Sequence, residues 1–480
     1  MDSLTQLREK NLWKYFLEVS SIPRESGNEE GIRNYLVEFA KEHNLEHYVD
    51  KTGNVIIKAK ATKGFETVPS IALQGHMDMV CVKDEGIIHD FTKDPIPVYR
   101  DGDFLRGRGT TLGGDNGVAI AMVLDLFSDK EAQHGPLEAI ITVEEETGLA
   151  GAFGLNASLI NSRLMINLDS EEEGIFYIGC AGGIEVNANL PVNFGPLAEE
   201  SVTLEVTVDG LQGGHSGAEI DKQRGNAITI MARYLLLLEE LQLISMGGGT
   251  KRNVIPSYCQ AKIAIPSQAL NRANTLREKV LKELKGEFAK GDPGVNITLK
   301  EIDGKRLKGA PVKESNLFLK SLFIAPHGVE RMSEAIEGLV ETSSNLAIVK
   351  TTAEGFSVIS SHRSSVQSAR DNVARKMVVA LETSGAKATL EGSYPAWTPN
   401  PASPLAASVG KAWEKFSSAK PTVTAIHAGL ECGIINSLVD GMDSLSMGPS
   451  LFDVHSTKER LSISSTERMA SFLRHLLVSL

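Results

Sequence analysis

Three short apolar runs end abruptly in residues of metal-ligand type, and this limits the possible folds more than any other feature of the chain. Val68-Pro69-Ser70-Ile71-Ala72-Leu73 passes directly into Gln74-Gly75-His76-Met77-Asp78. Ile140-Ile141-Thr142-Val143 runs into Glu144-Glu145-Glu146-Thr147-Gly148, and Leu164-Met165-Ile166-Asn167-Leu168 ends at Asp169. Each run has the length of a buried strand, and open α/β sheets build their sites just past the carboxyl ends of such strands. Two further candidates fit the same geometry. Asp115 lies in Leu112-Gly113-Gly114-Asp115-Asn116-Gly117, a glycine-rich turn opening a predicted helix over 117–127, and His455 follows Ser444-Leu445-Ser446-Met447-Gly448-Pro449.

The periodicity around these runs predicts two kinds of domain. Up to residue 185, helical patterns at 4–20, 28–43 and 117–127 alternate with strand patterns at 55–57, 69–73, 139–143 and 164–168. That alternation predicts an α/β domain with a largely parallel central sheet. From 186 the pattern changes to half-exposed, alternating strands (186–190, 202–208, 260–265, 295–301, 346–352, 356–361) with helices at 226–241, 269–288, 316–324 and 365–382. Gly247-Gly248-Gly249 reads as a loose loop. The second region is expected to be α+β. Tyr394-Pro395-Ala396-Trp397-Thr398-Pro399-Asn400-Pro401 breaks structure, and helices at 404–416, 431–437 and 465–477 follow it with a strand at 444–447. The resulting expectation is a catalytic α/β domain (1–185 and 393–480) split by an inserted α+β lid domain (186–392).

Length and charge exclude several functions. At 480 residues the chain exceeds one ordinary core. A formal net charge of −12 argues against non-specific binding to nucleic acid or to an anionic membrane. No run of about 18 apolar residues exists, so no membrane span is expected. Residues 1–20 mix charges into an amphipathic pattern unlike a signal peptide. Cys81, Cys180, Cys259 and Cys432 are widely spaced, without a C-x-x-C pair, and read as reduced thiols. A cytoplasmic location follows as the expectation.

Imidazoles and carboxylates together suit zinc, with cobalt or manganese as related ions. Two histidines and three carboxylates fit two metals if one carboxylate bridges, and such a pair lowers the pKa of a bridging water while polarising a carbonyl. The chemistry then needs one unligated carboxylate to shuttle the proton. Within Glu144-Glu145-Glu146 any adjacent pair can provide ligand and base. Asp78, two residues beyond His76, is placed to accept from the imidazole and fix its tautomer.

His76-Met77-Asp78, Gly114-Asp115-Asn116-Gly117, Glu145-Glu146-Thr147-Gly148, Asp169 and His455, in this order and spacing, resemble the dinuclear zinc peptidase family that includes aminoacylases, glutamate carboxypeptidases, tripeptidases and carnosinases. The resemblance spans the chain and is nearest to bacterial dipeptidases that cleave aminoacyl-histidine (Xaa-His, carnosine-like) dipeptides. It implies two zinc ions per chain, with Asp115 bridging, Glu146 and His455 completing one site, and His76 and Asp169 the other. The family pattern Glu-Glu-x-Gly selects Glu145 as general base. Asp169 stands where aminoacylases and carboxypeptidases of the family usually carry glutamate, which tilts the reading toward a dipeptidase or aminopeptidase.

The resemblance extends to the second region and implies a homodimer. Gly213-Gly214-His215-Ser216-Gly217 is similar to the family's lid motif, whose histidine reaches the substrate carbonyl or oxyanion, often in the partner subunit. Arg363, in Ser361-His362-Arg363-Ser364-Ser365, is similar to the lid arginine that receives a substrate carboxylate. Read alone, a loop histidine and a strand-end arginine are equally a solvated pair. Glu431 either binds a substrate amino group or merely begins a helix. The implied activity is hydrolysis of a short peptide; a tripeptidase, an N-acyl-amino-acid hydrolase and a non-catalytic metal-containing peptide-binding protein are the alternatives.

Overall fold

The computed structural model describes residues 3–480. The chain divides into two compact units: 1–179 with 399–425 and 430–480, and 180–398 with 426–429. The sequence reading placed these divisions at 185/186 and 392/393. The four-residue return at 426–429 carries no composition signal of its own.

The first unit is organised by an eight-stranded sheet in the order Glu46–Val49, Val55–Ala59, Leu137–Thr142, Ile71–His76, Leu164–Asn167, Asp443–Ser446, Ile175–Cys180, Thr422–Ile426. Leu137–Thr142, Ile71–His76, Leu164–Asn167 and Asp443–Ser446 pair in parallel; the neighbouring pairs on either side are antiparallel. The sheet is therefore mixed, and the four strands that run in parallel side by side are those whose ends lead into the candidate cluster. Those strands are buried on both faces, as continuous apolar runs require. The helix Gly114–Ser128 packs on Ile71–His76 and is almost wholly buried. A Cβ at Gly75 would overlap Asn116 Oδ1 and the Ala119 methyl, so only glycine allows this close approach. Aromatic packing of Phe176, Trp413 and Phe472 (centroids 4.9–6.0 Å apart) closes the core beside the terminal helix Ile463–Ser479.

The second unit is built on a nine-stranded sheet whose pairings are antiparallel, with Gln242–Gly248 and Val340–Thr352 at its centre. Alternating burial along Ser201–Asp209 and Gly355–Ser364 shows one apolar face. The helices Ala227–Leu235, Val312–Ile324 and Gln367–Glu382 contribute buried residues to the core on that face.

Three local expectations are corrected. The helix predicted over 226–241 ends at Leu235, and the glycines predicted as a loop lie largely in the strand Gln242–Gly248. Gly248 pairs with Cys259 and Val349, and a Cβ there would stand about 3.0 Å from Cys259 Sγ and Ile228. Sheet pairing at close quarters overrides the local preference of glycine for loops. The helix predicted over 4–20 is broken between Leu7 and Asn11. Among the described residues no disulfide joins the cysteines, and no helix is long and apolar enough to cross a membrane.

Candidate active site

The strand ends converge on one cluster. His76, the last residue of Ile71–His76, brings Nε2 to 2.9 Å from Asp115 Oδ1 and 3.4 Å from Asp169 Oδ1. His455 brings its Nε2 to 3.1 Å from Asp115 Oδ2 and 3.0 Å from Glu146 Oε2. Asp115 thus turns one carboxylate oxygen toward each imidazole. His76, Asp78 and Asp169 are closed off from solvent, whereas His455 is 47 % exposed and rides on a turn with φ of 59°. Asp169 Oδ1 is buried, meets His76 only as an ionic contact, and has no hydrogen-bond partner among the described residues.

Asp78 organises the neighbouring loop. Its Oδ1 lies 3.2 Å from His76 Nδ1 and accepts from the Glu145 amide at 3.1 Å. Its Oδ2 accepts from the Glu146 amide at 3.2 Å and from Ser26 Oγ at 2.7 Å. Burial pushes the Asp78 carboxyl up, but the imidazole and these donors hold it down at about 2. One carboxylate therefore sets both the His76 ring and the two adjacent glutamates.

The electrostatics follow from crowding. Burial opposes protonation of His76, yet Asp169, Asp115 and Asp78 carry it well above its ordinary value. Hydrogen bonds to Asp115 and Glu146 push His455 up to about 11. Burial raises Asp169 to about 6 and lifts Glu145 well above the usual carboxylate range, with Asp169, Glu431 and Glu146 adding to the latter. Such a concentration of carboxylates around two imidazoles fits a divalent cation. His76, Asp115 and Glu146 offer ligand atoms all within 4.8 Å of one another, and the orphaned Asp169 oxygen adds an unused donor.

Three supporting residues carried little or no signal in the sequence. Glu459 is buried and accepts from the backbone amides of Leu112, Gly113, Gly114 and Asp115 at 2.7–3.3 Å, which fixes the turn presenting Asp115. Arg24, also buried, donates to the carbonyls of Met77, Asp78 and Gly113. Burial lowers its guanidinium below the ordinary value against the pull of Glu459 and Asp78. Glu431, named in the sequence only as an even choice, is fully buried at the start of Glu431–Leu438. The acidic run Glu171-Glu172-Glu173 is partly solvated, with Glu173 bound to Arg468 at 2.6 Å.

The second unit holds its own polar group. His215 Nδ1 accepts from the amides of Gly217 and Ala218 at 3.2 and 3.0 Å, so the ring's Nε2 is left for another partner. Burial, then the positive charge of Arg363, lowers the His215 pKa and keeps the ring neutral. Arg363 Nη1 donates to Tyr394 Oη at 2.9 Å, while its buried Nε has no partner among the described residues. His427 Nε2 lies 2.7 Å from Ser343 Oγ in the same unit.

Comparison with known proteins bears on the whole chain. Residues 72–479 match the model of peptidase family M20/M25/M40. The cytosol non-specific dipeptidase of Escherichia coli is 37% identical over 480 residues, covering 99% of both chains. The crystal structure of aminoacylhistidine dipeptidase from Vibrio alginolyticus superposes with a TM-score of 0.91 at 36% identity, covering 98% of this chain and 96% of that one. A tripeptidase from Staphylococcus aureus, at 17% identity and TM-score 0.57 over 97% of each chain, shares the fold. Similarity that runs through every strand end carrying the cluster leaves one assignment: this chain belongs to the peptidase family M20/M25/M40.

Proposed function

We propose that the protein is a metal-dependent dipeptidase that hydrolyses short peptides with free termini, Xaa-His dipeptides among them. The observation that carries the reading is Asp115, whose two carboxylate oxygens face two separate imidazoles. That is the arrangement a carboxylate shared between two cations requires. End-to-end similarity to a non-specific dipeptidase and to an aminoacylhistidine dipeptidase supports the substrate class.

His76 and Asp169 would hold one ion, His455 and Glu146 the other, with Asp115 between them. Two divalent ions, zinc in preference to cobalt or manganese, supply Lewis acidity to the scissile carbonyl and to the attacking water. Glu145 takes the proton of that water and returns it to the leaving amine. Its carboxyl suits this because burial and neighbouring carboxylates raise its proton affinity. Asp78 holds the His76 tautomer and keeps Glu145 and Glu146 in register.

Arg363 takes the substrate carboxylate, using the donors its tie to Tyr394 leaves open. His215 donates from Nε2 to the developing oxyanion, its tautomer set by the two amides at Nδ1. In this reading the second unit is a lid, the enzyme is a homodimer, and it works in the cytoplasm. A panel assay of zinc-loaded protein on Xaa-His dipeptides, other dipeptides, tripeptides and N-acetyl amino acids tests it. Dipeptides should be cleaved best; faster cleavage of tripeptides or N-acetyl amino acids would replace the substrate assignment.

A further inference from the structure

The sheet of the first unit contains a buried row of polar side chains. Gln74, Thr142, Asn167 and Ser446 stand on four adjacent parallel strands, and each is 0 % exposed. Gln74 is opposite Asn167, Asn167 opposite Ser446, and Thr142 opposite His76. Gln74 comes two residues before His76, Asn167 two before Asp169, and Thr142 three before Glu145. Gln74 therefore shares a strand face with His76, while Thr142 and Asn167 are the last residues of the strands on either side, from which the chain runs on to Glu145 and Asp169.

One carboxylate gives the row its direction. Glu431 Oε2 accepts from Gln74 Nε2 at 2.5 Å and from Thr142 Oγ1 at 2.7 Å. With its amide nitrogen committed to Glu431, Gln74 offers only Oε1 to Asn167, whose Nδ2 donates to it at 2.5 Å. Asn167 in turn offers only its carbonyl, which accepts from Ser446 Oγ, and Ser446 meets Ser170 Oγ at 2.6 Å. An acceptor at one end thus fixes the donor sense of every member. The groups that act on the Glu431 carboxyl are His76, Thr142, Asp169 and Gln74, with no lysine or arginine among them.

We propose that Glu431 is a positioning residue for peptide hydrolysis, fixing through Gln74, Thr142 and Asn167 the strand ends that present His76, Glu145 and Asp169. The inference rests on the roles assigned above to those three residues. Catalytic and ligating groups must be held to within about 0.5 Å of their working positions. A carboxylate that orients three neighbouring strands at once does this without touching substrate. Burial pushes Glu431 up to about 8, yet Oε2 accepts from both donors whether or not the group is protonated.

The test uses the full-length, metal-loaded enzyme and Glu431→Leu, which roughly keeps the volume but removes the acceptor that Gln74 and Thr142 share. Expected is a fall in kcat of roughly ten- to hundred-fold with KM little changed, together with faster loss of metal to a competing chelator. Gln74→Leu should give the same kcat-selective loss, and the double variant should be no worse than the poorer single one, because both break one network. If Glu431→Leu does not fold, Gln74→Leu alone decides. Three results overturn the inference: a lowered Tm with kcat and metal retention intact, additive losses, or a KM increase with kcat preserved. The last would mean that the orphaned Oε1 binds the substrate ammonium. Failure of the underlying reading is separate, since it would appear as an active Glu145→Gln enzyme.

Discussion

The two units present polar residues in different ways. In the first, buried carboxylates hold most of the candidate groups: Asp78 bonds the His76 ring and the amides of Glu145 and Glu146, and Glu459 bonds the turn that presents Asp115. In the second, His215 rests on two amides of its own turn, and Arg363 on a single phenol. Groups that must hold charge at fixed separations need enforced geometry, whereas groups that meet a variable ligand need donors left open. Under the proposed function this contrast corresponds to a division of labour, with reaction in the first unit and recognition in the second. Substitutions in the first should damage turnover whatever the substrate, and those in the second should depend on which substrate is offered.

The largest effects test the first half of that comparison. Asp115→Ala should lose both ions and all activity, because one carboxylate serves two imidazoles; metal analysis showing one ion retained would end the shared-ligand reading. Glu145→Gln should lower kcat by roughly 10²–10⁴-fold while both ions stay bound, since it removes a proton carrier and not a ligand. Glu146→Gln should instead weaken metal binding. The reverse pattern would show that Glu144-Glu145-Glu146 has been read out of register.

The candidate ligands stand out in the sequence because they interrupt apolar runs. His76 and Asp169 are conspicuous only against the strands before them, and Asp115 against its glycines. Their supports were not legible, for a physical reason. Glu459 lies in Ser456-Thr457-Lys458-Glu459-Arg460, which looks like a solvated turn, yet its partners are backbone amides some 345 positions away. Arg24 likewise reads as a surface cation beside Pro23, although three carbonyls surround it. Bonds from a side chain to a distant backbone leave no residue-type pattern. The mixed sheet escaped for a similar reason, because a buried strand reads alike in parallel and antiparallel pairing.

A smaller effect is expected from the second unit. Arg363→Ala should lower kcat/KM for dipeptides roughly ten- to hundred-fold with both ions retained, the value of a charge-assisted contact. A terminally amidated dipeptide should already be poor for the unmutated enzyme and lose little more. Equal losses on free and amidated dipeptides would make Arg363 a structural partner of Tyr394 and erase the contrast between the units.

The smallest effect tests how redundant the backing of the first unit is. Ser26→Ala removes one of four polar contacts at the Asp78 carboxylate and leaves His76 and the Glu145 and Glu146 amides in place. A net hydrogen bond is worth about 1 kcal/mol, so kcat should fall by no more than about fivefold, with KM and metal content unchanged. The sign of any pH effect can be worked out in advance. Asp78 is held at about 2 by several partners, and losing one lets it rise toward its ordinary value near 3.8. That still leaves it ionised above about pH 5, so the loss should be the same at pH 6 and pH 8. Stability should change in the same direction: a carboxylate with a depressed pKa stabilises the fold above its unfolded value, and the variant forfeits part of that. The Tm deficit should therefore persist at neutral pH and shrink only as pH falls through the carboxylate range. A kcat loss that grows between pH 8 and pH 6 would mean that Ser26 controls the charge of Asp78 as well as its position, and that the backing of this site is thinner than its hydrogen bonds suggest.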